Sequence, residues 1–312
     1  MNIRSNGKLM ISGEYVVLAG ARALAIPVRY GQSLQVTPRK DNTATIFWES
    51  FVKDEPWLEA QFRGIDLTVQ SQHKSKQEEQ ALAFVRKALL AAKKLNPRFL
   101  SDNKSWDVRA TLEFDKDWGL GSSSSLLSNI AHWANVDPYQ LFFSISDGSG
   151  YDMACARSQS PIIYTFRGKN NMPLIENVRF EPAFHKQLFF VYSGKKQDSA
   201  KSIAGFDPAK VAKEDIATIS EITDSLVQTN DINECILLLR EHEALTANVI
   251  GIQPIQKEHF ADFPGVIKSL GAWGGDFLLA ASTRDEAETR SYFASKGMEV
   301  ILAFRDMSLH GG

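Results

Sequence analysis

Apolar residues in this chain fall into two patterns that alternate along it: short runs cut by turn formers, and longer stripes at helical spacing. From Ile3 to Phe51 the runs are short. Leu9-Met10-Ile11, Tyr15-Val16-Val17-Leu18, Leu24-Ala25-Ile26-Pro27-Val28, Ser33-Leu34-Gln35-Val36 and Ala44-Thr45-Ile46-Phe47-Trp48 are each bounded by Gly, Pro or Asn. Such runs predict strands. Lys74 to Lys94 predicts a helix, because Leu82, Val85 and Leu89 share one face and Asn96-Pro97 ends the pattern.

Val108–Phe114 reads as a strand that runs toward a glycine-rich loop. Ser122 is a candidate N-cap for a helix whose stripe is Leu126, Leu127, Ile130, Ala131 and Ala134. Asp137-Pro138 starts a second helix, a cap followed by Pro at the first helical position, and Leu141, Phe142 and Ile145 would be buried on it. Ile162–Phe166 returns as a strand. A break near Pro182 divides the chain into a segment 1–180 and a segment 181–312. In the second, Leu188–Tyr192 reads as a strand, the stripes Ile216/Ile219/Ile222/Leu226 and Ile232/Ile236/Leu239 as helices, and the tail as strand Phe277–Ala281, helix Asp285–Ser295 and strand Val300–Phe304. The alternation predicts an α+β fold with mixed or antiparallel sheets.

Two glycine/serine clusters break these patterns. The first is Trp118-Gly119-Leu120-Gly121-Ser122-Ser123-Ser124-Ser125, between a strand and a helix; the second is Gly148-Ser149-Gly150-Tyr151-Asp152. Backbone N–H groups at a helix start have no intrahelical partner and carry partial positive charge. Glycine lets that backbone approach an oxyanion, so the pattern points to phosphate binding. The usual P-loop is absent, the dinucleotide fingerprint lacks its third Gly or Ala at position 124, and neither His-Arg-Asp nor Asp-Phe-Gly occurs.

Composition narrows the classes further. A 312-residue chain with 44% hydrophobic and 23% charged residues is ordinary for a globular protein. Its formal net charge of −2 gives no basic excess for nucleic acid or an anionic membrane, so local Lys and Arg must handle an anionic substrate. The two cysteines, Cys155 and Cys235, sit in apolar helix-like contexts and read as buried free thiols. No zinc-type spacing, secretory leader or eighteen-residue apolar stretch occurs, and a cytoplasmic enzyme is expected.

Three motifs in fixed order carry a resemblance that extends over nearly the whole chain: Gly7-Lys8-Leu9 with Gly13-Glu14-Tyr15, then Gly119–Ser125, then Lys268-Ser269-Leu270-Gly271-Ala272-Trp273-Gly274-Gly275-Asp276. This order resembles the GHMP kinases, which include galactokinase, homoserine kinase, mevalonate kinase and phosphomevalonate kinase. Gly-Lys-Leu with Gly-Glu-Tyr, Gly-Ser-Gly-x-Asp and Gly-Ala-x-Gly-Gly-Asp are most similar to the phosphomevalonate kinase branch. Mevalonate kinases carry a metal-binding Glu where this chain has Leu141. Trp273 replaces a glycine of the third motif and would put a bulky ring where backbone usually meets phosphate.

The resemblance implies an N-terminal, ATP-binding domain like ribosomal protein S5 domain 2 (1–180), a ferredoxin-like C-terminal domain (181–312), and an active site in the cleft between. It implies ATP and Mg²⁺ as cofactors and a small-molecule acceptor, most similarly 5-phosphomevalonate, with no nucleic-acid or membrane partner and a monomer or homodimer. Gly119, Leu120, Gly121, Ser122, Ser123 and Ser124 match the phosphate cradle, with Ser123 as the metal-coordinating serine; Gly274 and Gly275 match its C-terminal side, and Lys116 would reach ATP phosphates. Asp152 matches the catalytic aspartate and Lys8 the lysine that pairs with it. Glu14, Ser149, Gly150, Lys195, Lys196, Ser199 and Asp276 would face the acceptor, with Glu14 alternatively bridging its strand to neighbouring loops and Lys195 and Lys196 alternatively forming an exposed basic turn. Arg22 and Arg157 are further candidates for an acceptor phosphate. The resemblance leaves open mevalonate kinase, diphosphomevalonate decarboxylase and a catalytically inactive ligand-binding protein of the same fold.

Overall fold

The computed structural model describes residues 1–71, 75–195, 202 and 205–309. The chain forms two compact units, each assembled from separate stretches: Met1–Gly7, Tyr30–Lys116 and Gly121–Arg157 in the first, and Lys8–Arg29, Asp117–Leu120 and Ser158–Gly312 in the second.

Strands β1 (Asn2–Met10) and β2 (Arg22–Pro38) pair with each other. The predicted break between the runs Leu24–Val28 and Ser33–Val36 does not occur, and β2 is one strand of 17 residues. The reason lies in its ladders. Arg22–Ala25 pair with the strand Ile162–Thr165, and pairing with Trp106–Leu112 begins only at Gln32. Pro27 lies in the gap, so its missing N–H costs neither ladder a bond.

In the first unit β2 borders a sheet of β3 (Thr45–Val52), β4 (Glu55–Arg63), β5 (Thr68–Gln70) and β6 (Trp106–Leu112), in the order β5-β4-β3-β6-β2. Only β3 and β6 run parallel. Strand β4 was not read from the sequence, although its buried Leu58, Ala60 and Phe62 alternate with more exposed residues. Helices α1 (Lys76–Leu95), α2 (Ser122–Ala134) and α3 (Pro138–Ile145) cover the sheet. Their Leu82, Val85, Leu89, Leu127, Ile130, Leu141 and Phe142 meet Trp48, Phe62 and Val108 in one core. Both caps are explicit: Ser75 accepts from Glu78 N and Asp137 from Gln140 N. A short helix, α4 (Tyr151–Arg157), completes this unit.

In the second unit β2 pairs β7 (Ile162–Thr165), which pairs β8 (Leu174–Asn177). A separate antiparallel sheet has the order β10-β11-β9-β12, with β9 (Leu188–Tyr192), β10 (Gly265–Ser269), β11 (Phe277–Ser282) and β12 (Ile301–Ala303). Its helices are α5 (Lys213–Gln228), α6 (Ile232–Ile250), α7 (Ile255–His259), α8 (Glu286–Ser295) and α9 (Phe304–Met307). Phe189, Val191, Phe260, Phe263, Ile267 and Phe293 pack together in one core of this unit. Two sequence expectations fail here. Tyr15–Leu18 is not a strand: Tyr15 has φ +62°, and the chain turns into a 3-10 helix at Val16–Ala19. Phe304 starts α9 instead of ending the last strand. The two cysteines are buried and unbridged, as read.

Candidate functional site

In the second unit the start of the glycine loop is held residue by residue. The Asp117 carbonyl accepts from Tyr192 Oη at 3.1 Å, and the Trp118 ring meets Phe277 edge-on at 5.6 Å. Gly119 has φ +68°, and a Cβ there would lie 2.6 Å from Asp276 Oδ1. The Leu120 carbonyl accepts from Lys8 N at 3.0 Å. Parts of all three sequence motifs therefore meet in one unit, with only glycine tolerated at the closest approach. Asp276 is itself fixed by its backbone, which donates to the Lys195 carbonyl at 2.6 Å and accepts from Ser193 N at 2.8 Å. The Lys195 side chain is exposed. Lys196 and Ser199 lie outside the described residues.

Gly13, Glu14 and Tyr15 each bond a different part of the C-terminal half. Gly13 N donates to His242 Nε2 at 2.7 Å, Glu14 Oε1 accepts from Lys268 Nζ, and Tyr15 Oη donates to the Ala272 carbonyl at 2.8 Å. Glu243, beside His242 on α6, accepts from Ser269 N at 3.2 Å. Glu14, His242, Glu243 and Lys268 are only 1, 0, 3 and 0% exposed. Burial raises the Glu14 carboxyl above its usual range, opposed mainly by Lys268. Burial likewise pushes Glu243 up to about 7. Burial, then Lys268, holds His242 well below the usual imidazole range. His242 is therefore neutral, and since Nε2 accepts from Gly13, its proton sits on Nδ1 toward Thr246 Oγ1 at 3.4 Å. This is the bridging arrangement for Glu14. Lys268 opens the third motif but was given no role from sequence, and His242 and Glu243 were not singled out, because Gly13 meets His242 across 229 residues and Glu14 meets Lys268 across 254, and sequence periodicity marks the helix of His242 and Glu243 only as apolar.

Trp273 is buried. It takes the left-handed φ of +56° that a glycine would take, and its buried ring packs with Tyr15 and Ala247, beside Phe206 and Ile250. The next residue, Gly274, has φ +81° and is exposed.

In the first unit the serines of the loop start α2. The N-cap is Gly121, at φ +85°, and not Ser122 as expected; Ser122 is the first helical residue. A left-handed chain at Gly121 leaves Ser122, Ser123 and Ser124 at least partly exposed on the first turn, where backbone N–H groups lack intrahelical partners. Ser125 is buried, and its Oγ donates to Gln32 Oε1 at 2.8 Å. Asp152 lies in the first turn of α4, half-buried, after Gly150 at φ +83° and the buried Ser149. Arg157, at the other end of α4, donates from Nε to Ser128 Oγ at 2.9 Å and from Nη2 to the Ser128 carbonyl at 2.8 Å, which ties α4 to α2. Lys116 Nζ donates to Gln77 Oε1 at 3.2 Å. Leu141 is fully buried in the core, so α3 offers no carboxylate at that position. Arg22, in the second unit, is committed to Glu176 at 2.6 Å and Asp224 at 2.8 Å.

No family model matches the chain, and no curated protein matches it in sequence. Solved structures do match in fold. The chain is similar to Streptococcus pneumoniae phosphomevalonate kinase in complex with phosphomevalonate and AMPPNP, with TM-score 0.69, 14% identity, and 96% of this chain and 98% of that one covered. It is similar to L. major mevalonate kinase in complex with R-mevalonate, with TM-score 0.69, 14% identity, and coverage of 100% and 96%. It is also similar to Lactococcus lactis galactokinase complexed with galactose, with TM-score 0.64, 11% identity, and coverage of 100% and 93%. The chain has the α+β fold of the GHMP kinases.

Proposed function

We propose that the protein is an ATP-dependent small-molecule kinase of the GHMP type, and that its acceptor is 5-phosphomevalonate. The observation that carries this reading is the contact of Gly119 with Asp276 beside the Lys8 N–H bond to Leu120, in a chain with the GHMP kinase fold. Phosphoryl transfer requires little covalent chemistry from a protein; it requires a cradle for phosphates, charge neutralisation and an oriented acceptor.

In this reading Gly119, Leu120, Gly121 and the first turn of α2 cradle the ATP phosphates, with Gly274 and Gly275 on the C-terminal side. Ser122 and Ser124 donate hydroxyl bonds to phosphate oxygens. Asp152 takes the proton of the acceptor hydroxyl, and Lys8 stabilises the charge that develops during transfer. Among the described residues no group of three or more His, Cys, Asp or Glu could hold a metal. That fits Mg²⁺, which keeps waters and substrate oxygens and needs few protein ligands. Ser123 would hold it, and the ion would supply charge neutralisation on the nucleotide.

The acceptor assignment rests on the sequence of the three motifs, on Leu141, and on likeness to a phosphomevalonate kinase. Mevalonate is the second reading, favoured by the equal likeness to a mevalonate kinase. The acceptors differ by one phosphate, so a cation must distinguish them. Lys195, exposed on a turn whose backbone is bound to Asp276, supplies one. Measuring kcat/KM for the two acceptors side by side tests the assignment. A preference for unphosphorylated mevalonate would transfer the choice to the second reading; no stimulation of ADP release by any acceptor would favour an inactive ligand-binding protein.

A further inference from the structure

The Gly13–Tyr15 turn and the loop from Ser269 to Asp276 both carry strained backbone. Tyr15, Trp273 and Asp276 are non-glycine residues at φ +62°, +56° and +54°. Such conformations persist where the surroundings over-determine them, and they concentrate at functional sites. Here the surroundings include a buried ionic cluster. Lys268 Nζ donates to Glu14 Oε1 and, at 2.9 Å, to the Ser269 carbonyl. His242 and Glu243, adjacent on α6, accept from Gly13 N and Ser269 N. One helix thus grips both segments, and Lys268 joins them directly.

The charged or titratable groups that act on Glu14 are Lys268, His242, Glu243 and, more weakly, Lys8. His242 Nε2 lies 3.4 Å from Glu14 Oε2. It presents a lone pair there, because its proton is on Nδ1, so it does not neutralise the carboxylate. Lys268 is the cation bonded to it. An apolar side chain would suit the position for packing, since the rest of β10 is buried and pairs with Phe277–Ser282. A buried ion pair is weak evidence of a contribution to stability, because two desolvated charges seldom outperform apolar residues of similar volume. What the pair supplies in place of stability is a single arrangement of two loops.

We propose that Lys268 is a positioning residue for nucleotide binding: through Glu14 it fixes the Gly13–Tyr15 turn to the loop that bears Gly274, Gly275 and Asp276. The inference rests on the kinase reading of that loop. Lys268 does not touch the nucleotide; it sets the loop geometry that the nucleotide meets.

The test is direct binding of AMPPNP with Mg²⁺ by titration calorimetry, alongside thermal denaturation. The double variant Glu14→Gln/Lys268→Met removes both charges together and leaves no lone buried ion. It is expected to melt within several degrees of the parent and to bind AMPPNP about tenfold more weakly, whereas Lys268→Arg in the parent chain stays within about threefold. Tyr15→Phe removes the hydroxyl with its bonds to the Ala272 carbonyl and to Ser202 and is expected to weaken binding about threefold with the fold intact. If the double variant does not fold, Glu14→Gln alone, which takes the carboxylate from Lys268 and keeps the shape of the side chain, decides. Parent-like affinity, within about twofold, in every folded variant that breaks the bridge would overturn the positioning role while the kinase reading stands. Failure of the parent itself to bind AMPPNP would overturn the kinase reading, and the positioning role with it.

Discussion

Gly119 packs so closely against the Asp276 carboxylate that a Cβ on it would fall 2.6 Å from Oδ1, and its φ of +68° disfavours any side chain. Gly119→Ala should therefore be costly twice over. It is expected to lose about 1–3 kcal/mol of stability from backbone strain and the clash, and to raise KM for ATP. Thermal denaturation and ATP saturation curves check both. Parent-like values in both would mean that Asp276 moves freely away and that the close approach has no role.

Asp152 is the proposed proton acceptor. Asp152→Asn keeps the shape and removes the base, so kcat is expected to fall roughly 10²- to 10⁴-fold while nucleotide binding survives. Single-turnover rates with saturating ATP measure this. Near-normal kcat would remove Asp152 from the mechanism.

Glu243 makes stability depend on pH with a definite sign. Its folded-state value is raised to about 7 from 4.5, so the folded protein binds more protons than the unfolded chain between these values. Stability is then full below about pH 4.5 as far as this group is concerned, and falls as pH rises through about 7, by on the order of 3 kcal/mol. Glu243→Gln retains an acceptor for Ser269 N and should flatten this fall. Urea denaturation of both proteins at pH 5, 6, 7 and 8 compares the slopes. Identical slopes would remove Glu243 as their source.

Lys195 is exposed, and its backbone is bound to Asp276. Lys195→Glu is expected to raise KM for 5-phosphomevalonate at least about tenfold and to leave KM for ATP within about twofold. Steady-state kinetics with each substrate varied in turn separates the two. An equal rise in both would indicate a general disturbance of the turn and not recognition of the acceptor phosphate.

Much of this was legible from local pattern. The stripe Leu82, Val85 and Leu89 is the buried face of α1, and Asp137-Pro138 starts α3 as a cap and first residue should. The sequence Leu188–Tyr192 is β9 to the residue. What failed was governed by backbone conformation or by distant partners. An apolar run at Tyr15–Leu18 resembles a strand, yet the positive φ of Tyr15 turns the chain. Gly31 resembles a break between two runs, yet it falls between two ladders of a continuous strand. In the candidate site, Gly119, Lys8 and Asp276 were recognisable as motif residues and do converge. His242 and Glu243 were not, and Lys268 was legible only as the first residue of a motif, because nothing in the residues near them shows that two loops and a helix will bury them together.

The most direct measurement of the central claim is ³¹P NMR of the purified protein with Mg·ATP and 5-phosphomevalonate. Expected is the loss of the ATP β-phosphate signal with matched growth of ADP and of a diphosphate bonded to the acceptor, faster than with mevalonate and abolished by Asp152→Asn. ATP that stays intact in the presence of every acceptor alcohol tried, or ATP that is cleaved to free phosphate alone, would contradict the assignment of phosphoryl transfer.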